Sequence, residues 1–432
     1  MLRFMTRPFP TLLGWQARYG NVFTVRYTGF GTGIYVAEPD AIRELFTGDQ
    51  SDLLAGEANS FKEPVLGPHS VLVLDGPQHL RQRKLLLAPF QGSRVAGFRE
   101  VIREVAASEI AAWRPGRRLT LRERMRALTF EVICRAVFGV TDRATQERLR
   151  ATMAAVIDSS PVFMISSAAR RDLGPLSPGG RFARRLHAAD TLLVEEIERR
   201  RREPDLDERT DVLSLLLRAR DEDGDTMTVR ELRDELFTML GAGHETTSTG
   251  LAFAFELLLR NPAVLERLRE ELEGGEDDAY LDAVVKESLR LRPVIDGAER
   301  TLTRPRTLAG WSLPAGVKVY PAILLTQMRA DLYPEPERFR PERFLDEGAE
   351  SYAWLPFGGG IRRCLGAALA QAEMAEVLRI AVPAVELRPA RAEPDPVVVR
   401  GITLAPKHGV EVTVQRVLRK AETGLSPALA GG

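Results

Sequence analysis

Thr228-Val229-Arg230-Glu231 has the form of a capping box, and from it a helical period runs on to Asn261-Pro262, where a new helix would start with proline in its first turn. At 1.5 Å per residue such a helix is roughly 50 Å long, enough to cross a whole domain. A chain built around it has to be large and mainly helical. Its middle is unusual: Gly241-Ala242-Gly243-His244-Glu245-Thr246-Thr247-Ser248-Thr249 places two glycines and a cluster of hydroxyls where a central helix ordinarily carries leucine and alanine. Small residues let a bulky group approach the backbone, and a threonine hydroxyl can take the place of a backbone hydrogen bond and open the helix locally. Two readings stay open on these residues alone. One is a kink with satisfied polar groups; the other makes Glu245 and Thr246 an acid–alcohol pair that relays protons to a buried reaction centre. His244 reads as a packed or exposed side chain rather than a ligand.

The rest of the pattern agrees with a mainly α chain carrying small β-sheets. Apolar residues recur at three- and four-residue spacing over Phe98–Trp113, Leu119–Phe138, Gln146–Ile157 and Arg181–Arg202, while residues 21–37 read as a small hairpin and strand-like pieces return at Thr307–Val319 and Ile402–Val414. RRDLGPLSPGG, ending at Gly180, and DEDGDT, ending at Thr226, read as loops within one domain of residues 1–415. Residues 416–432 have no apolar pattern and are expected to form a mobile tail.

With 432 residues the chain can bury a sizeable cofactor, and its formal net charge of zero points to neither nucleic acid nor an anionic membrane surface, so any electrostatic partner must be met by a local patch. The amino end carries charges and prolines where a secretory signal would be apolar, and no stretch approaches a membrane span, so a cytoplasmic chain without a membrane anchor is expected. Two cysteines, Cys134 and Cys364, exclude an all-cysteine iron–sulfur cluster and argue against a disulfide framework.

Cys364 is the informative one. It stands in FGGGIRRCLG, with no histidine or second cysteine beside it to make it an activated nucleophile. The glycines allow a tight turn and close approach to a flat ligand, and Ala367 onward reads as a helix whose amino end would lower the thiol pKa. A thiolate on one axial side of a haem meets those constraints, and Arg362 would then meet a propionate. Upstream, Glu287 and Arg290 share a helix face, and Arg343 in Phe339-Arg340-Pro341-Glu342-Arg343-Phe344 could complete a buried network that fixes the cysteine loop.

Phe357, Gly360, Arg362, Cys364 and Gly366 fill the pattern Phe-x-x-Gly-x-Arg-x-Cys-x-Gly, which resembles the haem-thiolate signature of the cytochromes P450. Ala242 to Thr247 is similar to that family's oxygen-activation motif, Glu287 with Arg290 to its Glu-x-x-Arg pair, and Arg343 to the third member of that triad. The resemblance covers about residues 10–415. It implies the P450 fold, a single large domain with haem b buried between the long central helix and the cysteine loop. Cys364 would be the iron ligand, and His79, Arg83, Ala242, Arg300, Phe357, Arg362 and Gly366 would bind the cofactor. Glu245 and Thr246 would be the catalytic pair.

The activity implied is a monooxygenase that uses O₂ as co-substrate to hydroxylate or epoxidise a hydrophobic small molecule. Electrons would come from a separate ferredoxin and ferredoxin reductase, docking on a patch of Arg81, Lys84 and Arg363, and the chain would be a monomer. By family position Val294, Ile295 and Ile402 would be pocket walls, with residues 161–165 as an apolar access rim. Two alternatives remain: a haem-thiolate sensor without turnover, and a non-redox isomerase or dehydratase. Neither calls for Glu245 with Thr246.

Overall fold

The computed structural model describes residues 2–27, 31–90, 93–275, 278–345 and 352–419. Helices dominate, and those that build the site are Gly76–Leu87 (α1), Ser93–Ala111 (α2), Leu121–Phe138 (α3), Pro178–Arg201 (α4), Val229–Arg260 (α5), Ala279–Leu291 (α6) and Ala367–Ala384 (α7). The capping box forms as the sequence implies: the Thr228 hydroxyl accepts from the Glu231 N–H at 3.2 Å, and the Glu231 carboxylate accepts from the Thr228 N–H at 2.7 Å. The helix it starts has 32 residues, so at 1.5 Å per residue it is about 48 Å long. Ser177 caps α4 in the same way, accepting from the Gly180 N–H at 3.0 Å.

Packing around α5 explains much of its odd composition. A Cβ on Gly243 would lie 2.5 Å from the Ile133 side chain of α3, and one on Gly250 would lie 3.3 Å from the Met374 sulfur of α7. Both glycines therefore let neighbouring helices close on the central one. Thr129 of α3 adds a hydrogen bond to the His244 carbonyl at 3.0 Å. On the far side α2 and α7 are tied by Glu376, which accepts from Arg99 at 2.6 Å and Arg103 at 2.8 Å. Trp113, Phe138, Phe237 and Leu240 belong to one large core running through these helices, each such side chain contributing about 1.5–3 kcal/mol on burial.

The hairpin expected over residues 21–37 is present as antiparallel Val22–Tyr27 (β1) and Gly31–Val36 (β2). It belongs to a larger sheet with Leu53–Leu54 (β3), Arg300–Leu302 (β4) and Lys318–Pro321 (β5), in the order β1-β2-β5-β4-β3, with β2 and β5 parallel. Tyr35 is stacked between Phe23 and Tyr320 at centroid distances of 5.4 and 5.1 Å, which fixes this register from one face. Near the carboxyl end Thr403–Pro406 forms a hairpin with Val397–Arg400, and Glu411–Val417 pairs with Arg118–Thr120 and Val385–Pro389. That last strand runs two residues past the expected boundary at 415. The remainder of the expected tail, residues 420–432, lies outside the described residues.

Candidate functional site

The cysteine loop turns on its glycines. Gly358 and Gly360 have φ of +65° and +61°, and a Cβ on Gly360 would fall 1.9 Å from the Phe46 carbonyl oxygen. Only glycine fits there. The turn closes through Gly358 N–H to Leu355 O and Cys364 N–H to Phe357 O, both at 2.9 Å, and Gly366 is the N-cap of α7. Cys364 keeps accessible surface, yet protein encloses it densely enough for burial to raise its pKa. A thiol facing a hollow inside the molecule satisfies both facts. The sequence suggested that the helix end would lower this pKa; the Gly366 N–H, Arg363 and Arg83 do pull in that direction, but desolvation outweighs them. A metal cation bound here would favour the thiolate.

Beside the loop lies a group of unanswered positive charge. His79 is buried and pushed down to about 3, first by desolvation and then by Arg362, Arg83 and Arg300. Arg362 spends its terminal nitrogens on Val71 O, Leu74 O and the Asp75 carboxylate, the last two at 2.6 Å. Among the described residues Arg300 donates only to the backbone carbonyls of Ala298 and Glu299. The Nε of each is buried without a partner, and burial, the larger effect in both, draws each guanidinium down to about 10. Arg83 donates to the Arg363 carbonyl at 2.7 Å. Among the described residues, Asp75 is the one carboxylate hydrogen-bonded to these four. Such a cluster asks for an anion with more than one charge, and a haem with its two propionates is such a group.

On α5, Ala242 is exposed in the middle of a helix whose flanking residues, Leu240 and His244, are buried. Thr246 lies one turn further on, its hydroxyl donating to the Ala242 carbonyl at 2.6 Å. The helix runs through this point unbroken, so the hydroxyl adds a bond to the backbone instead of opening it. Glu245 does not stand free: it pairs with Arg122 and lies 3.0 Å from Arg126 Nε, both on α3. His244 is packed edge-on against Phe130 at 5.3 Å and burial draws it down to about 4, which leaves it neutral and structural.

The supporting network is buried. Arg290 donates to Glu287 at 2.6 and 2.9 Å, Arg343 adds a third bond to the same carboxylate at 3.1 Å, and the Arg340 N–H a fourth at 2.9 Å. Two residues that carry this network to the cysteine loop left no sequence signal. Gln327 accepts from the Leu355 N–H at 2.8 Å, and the Trp354 indole donates to the Lys286 carbonyl at 3.1 Å.

Other expectations change. Of the three named walls Val294 is buried outside the core clusters, Ile295 is half-buried against the sheet, and Ile402 keeps 47% of its surface accessible. Next to it Asp296, which the sequence did not single out, is enclosed and pushed up to about 6 by burial, with Glu299 adding to the rise. The basic patch is largely neutralised: Arg81 pairs with Asp221 and Glu231, and Lys84 with Glu222. Among the described residues, Arg363 alone of the three has no carboxylate partner. Among the described residues no helix is long and apolar enough to cross a membrane.

Comparison with known proteins agrees with this geometry. The profile of the family described as Cytochrome P450 matches residues 8–418. A Mycobacterium tuberculosis protein named cytochrome P450 135B1 is 41% identical, the match covering 100% of this chain and 91% of that protein. Another from the same organism, cytochrome P450 137, is 36% identical over 91% of this chain and 83% of its own length. Among solved structures, retinoic acid-bound cyanobacterial CYP120A1 superposes with a TM-score of 0.81 at 26% identity, covering 93% of each chain.

Proposed function

The chain belongs to the cytochrome P450 family and is a haem-thiolate monooxygenase, and from that premise we propose that it oxygenates a hydrophobic small molecule, by hydroxylation or epoxidation, with electrons from a separate ferredoxin and ferredoxin reductase. Bound haem b supplies the activation of O₂ and the transfer of one oxygen atom. Everything else falls to the protein. Cys364 would hold the iron, and Gly360, with no side chain, keeps the loop tight against Phe46. His79, Arg83, Arg300 and Arg362 bind the propionates, and Phe357 and Gly366 shape the loop that carries the thiolate. The observation that carries this reading is the pair of buried, unpartnered Nε atoms on Arg300 and Arg362 beside an enclosed cysteine.

Ala242 leaves room against α5. The Thr246 hydroxyl, already bonded to the Ala242 carbonyl, holds a proton at the hollow, and Glu245 replenishes it. Because Glu245 is held by Arg122 and Arg126, its carboxylate delivers protons only when it lets go of one of them. The substrate meets Val294 and the apolar rim at residues 161–164, of which Phe163 is buried and stacked on Phe182 at 4.2 Å. A retinoid bound to a structure of the same fold supports an apolar substrate of similar bulk. A monomer in the cytoplasm accords with the charged surface.

The test is product analysis with and without a reducing system. Oxygenated product that requires reductant, O₂ and the ferredoxin pair supports the reading; turnover without electrons would replace it with an isomerase or dehydratase.

A further inference from the structure

Lys62 closes the short turn Ser60–Lys62, and its surroundings differ from those of the cations that flank the cysteine loop. The helix Ala55–Asn59 before it packs on β4, beside the pairing of Leu53 with Leu302 and Leu54 with Thr301. At its start the Gly56 and Glu57 N–H groups donate to the Asp75 carboxylate at 2.8 and 2.7 Å, and Asp75 is the group that meets Arg362. On the other side, Ser160–Ile165, which carries the apolar rim, packs on the turn and on the helix Glu63–Leu66 that follows it. Lys62 is thus fixed on well-held backbone between the cation cluster and the rim.

Its side chain keeps part of its surface accessible, as Cys364 and Asp296 do, yet protein encloses it densely enough for burial to draw its pKa down. Those two facts together placed Cys364 at the hollow, and they place the Lys62 ammonium there as well. Glu299, just before β4, pulls the pKa up and Lys318 of β5 pushes it down, each more weakly than burial. Neither takes the charge. Among the described residues Lys62 forms no ion pair and donates only to the Asn59 side-chain oxygen, whose own amide is committed to the Ala55 carbonyl at 2.8 Å. Lys318 spends its ammonium on the Ala58 carbonyl at 3.3 Å. An ammonium has three N–H donors, so Lys62 keeps two, and an enclosed cation with donors to spare calls for an anion.

The propionates have partners of their own. Arg83, Arg300 and Arg362 all act on His79, and Arg300 acts on Arg362, whereas none of these four acts on Lys62 and Lys62 acts on none of them. Of the groups that do act on Lys62, Glu299 alone also acts on Arg300. The ammonium therefore answers a second negative charge, away from the cofactor's.

We propose that the substrate is an amphipathic carboxylic acid, its carboxylate bound by Lys62 and its apolar body held in the hollow beside Val294. This rests on the monooxygenase reading and names its substrate class. A single charge fixed in an otherwise apolar site orients the molecule, so Lys62 selects for the acid over its neutral derivatives.

The test is titration of the haem-loaded protein with dodecanoic, hexadecanoic and abietic acids, each beside its methyl ester, following the low- to high-spin shift of the haem spectrum. At least one acid should bind about tenfold or more tightly than its ester. Lys62→Met should weaken that acid about tenfold and leave the ester within about twofold, whereas Lys62→Arg, which keeps the charge, should hold the acid within about threefold of the parent. Esters that match their acids, no shift with any acid, or a Lys62→Met loss shared equally by acid and ester would each overturn the proposal. So would faster haem transfer from Lys62→Met to apo-globin with the acid preference intact, which would assign Lys62 to a propionate. In all of these cases neutral compounds that still shift the spectrum leave the monooxygenase reading standing; a reduced carbon monoxide complex without the cysteine band would remove that reading, and this one with it.

Discussion

Arg290 and Gln327 are joined twice: the Arg290 guanidinium donates to the Gln327 backbone carbonyl at 2.7 Å, and the Gln327 side-chain amide donates to the Arg290 backbone carbonyl at 2.9 Å. The remaining oxygen of that amide accepts from the Leu355 N–H, two residues before Phe357. The ion-paired helix and the cysteine loop are therefore one hydrogen-bonded unit. Gln327→Ala should leave the Leu355 N–H and two carbonyls short of partners, costing about 2 kcal/mol. Haem transfer to excess apo-globin should speed up, while Glu287→Ala, which strands Arg290 as a buried charge, should cost about 3–5 kcal/mol. Thermal melts of the two variants check the order.

Arg300 tests the cation cluster through opposite signs in two states. Without cofactor it is a buried charge beside Arg362 with its Nε unpartnered, so Arg300→Leu should raise the melting temperature of the apoprotein. With cofactor the same change removes a propionate partner, and haem affinity should fall about tenfold or more. A lower apoprotein melting point would show that the cluster is satisfied by the protein alone.

Asp296 gives a pH dependence with a definite sign. Its pKa rises from 3.8 to about 6 on folding, so the folded state favours the protonated form. Its contribution is favourable below the unfolded value and is lost as pH climbs through about 6. Asp296→Asn should therefore stabilise the protein above that point by about 1–3 kcal/mol, with the gain vanishing near pH 4. Melting temperatures of both proteins across that range provide the measurement.

Thr246→Ala removes a hydroxyl that, among the described residues, bonds only to a helix carbonyl, so the fold should be untouched. Product formed per electron consumed should fall several-fold with substrate affinity within about twofold, since proton supply and not binding has been lost. Equal coupling in the variant would move the proton path away from this residue.

Much of this was legible from the chain. The capping box and Asn261-Pro262 bounded the central helix to within a residue, because both ends are set by local chemistry. The cysteine loop and the Glu287–Arg290–Arg343 group stood out because spacing alone brings their members together or because their motif is specific. Gln327, Trp354 and Asp296 were silent: each acts through partners 28 or more residues away, or through burial, and neither leaves a periodic trace. The thiol pKa was misjudged for a related reason. A helix terminus is visible in sequence, whereas the burial that outweighs it is a property of the assembled hollow. Arg81 and Lys84 looked available because Asp221, Glu222 and Glu231 lie some 140–150 positions along the chain.

The central claim is that Cys364 is the thiolate that holds haem iron, and with only Cys134 as another sulfur ligand of its kind the test is clean. The measurement is the carbon monoxide difference spectrum of the reduced protein beside Cys364→Ser and Cys134→Ser. A Soret band near ~450 nm, as expected of a cysteine-ligated haem, should appear in the parent and in Cys134→Ser and be lost in Cys364→Ser. Its survival in Cys364→Ser, or its absence from freshly prepared parent protein that contains haem, would contradict the account.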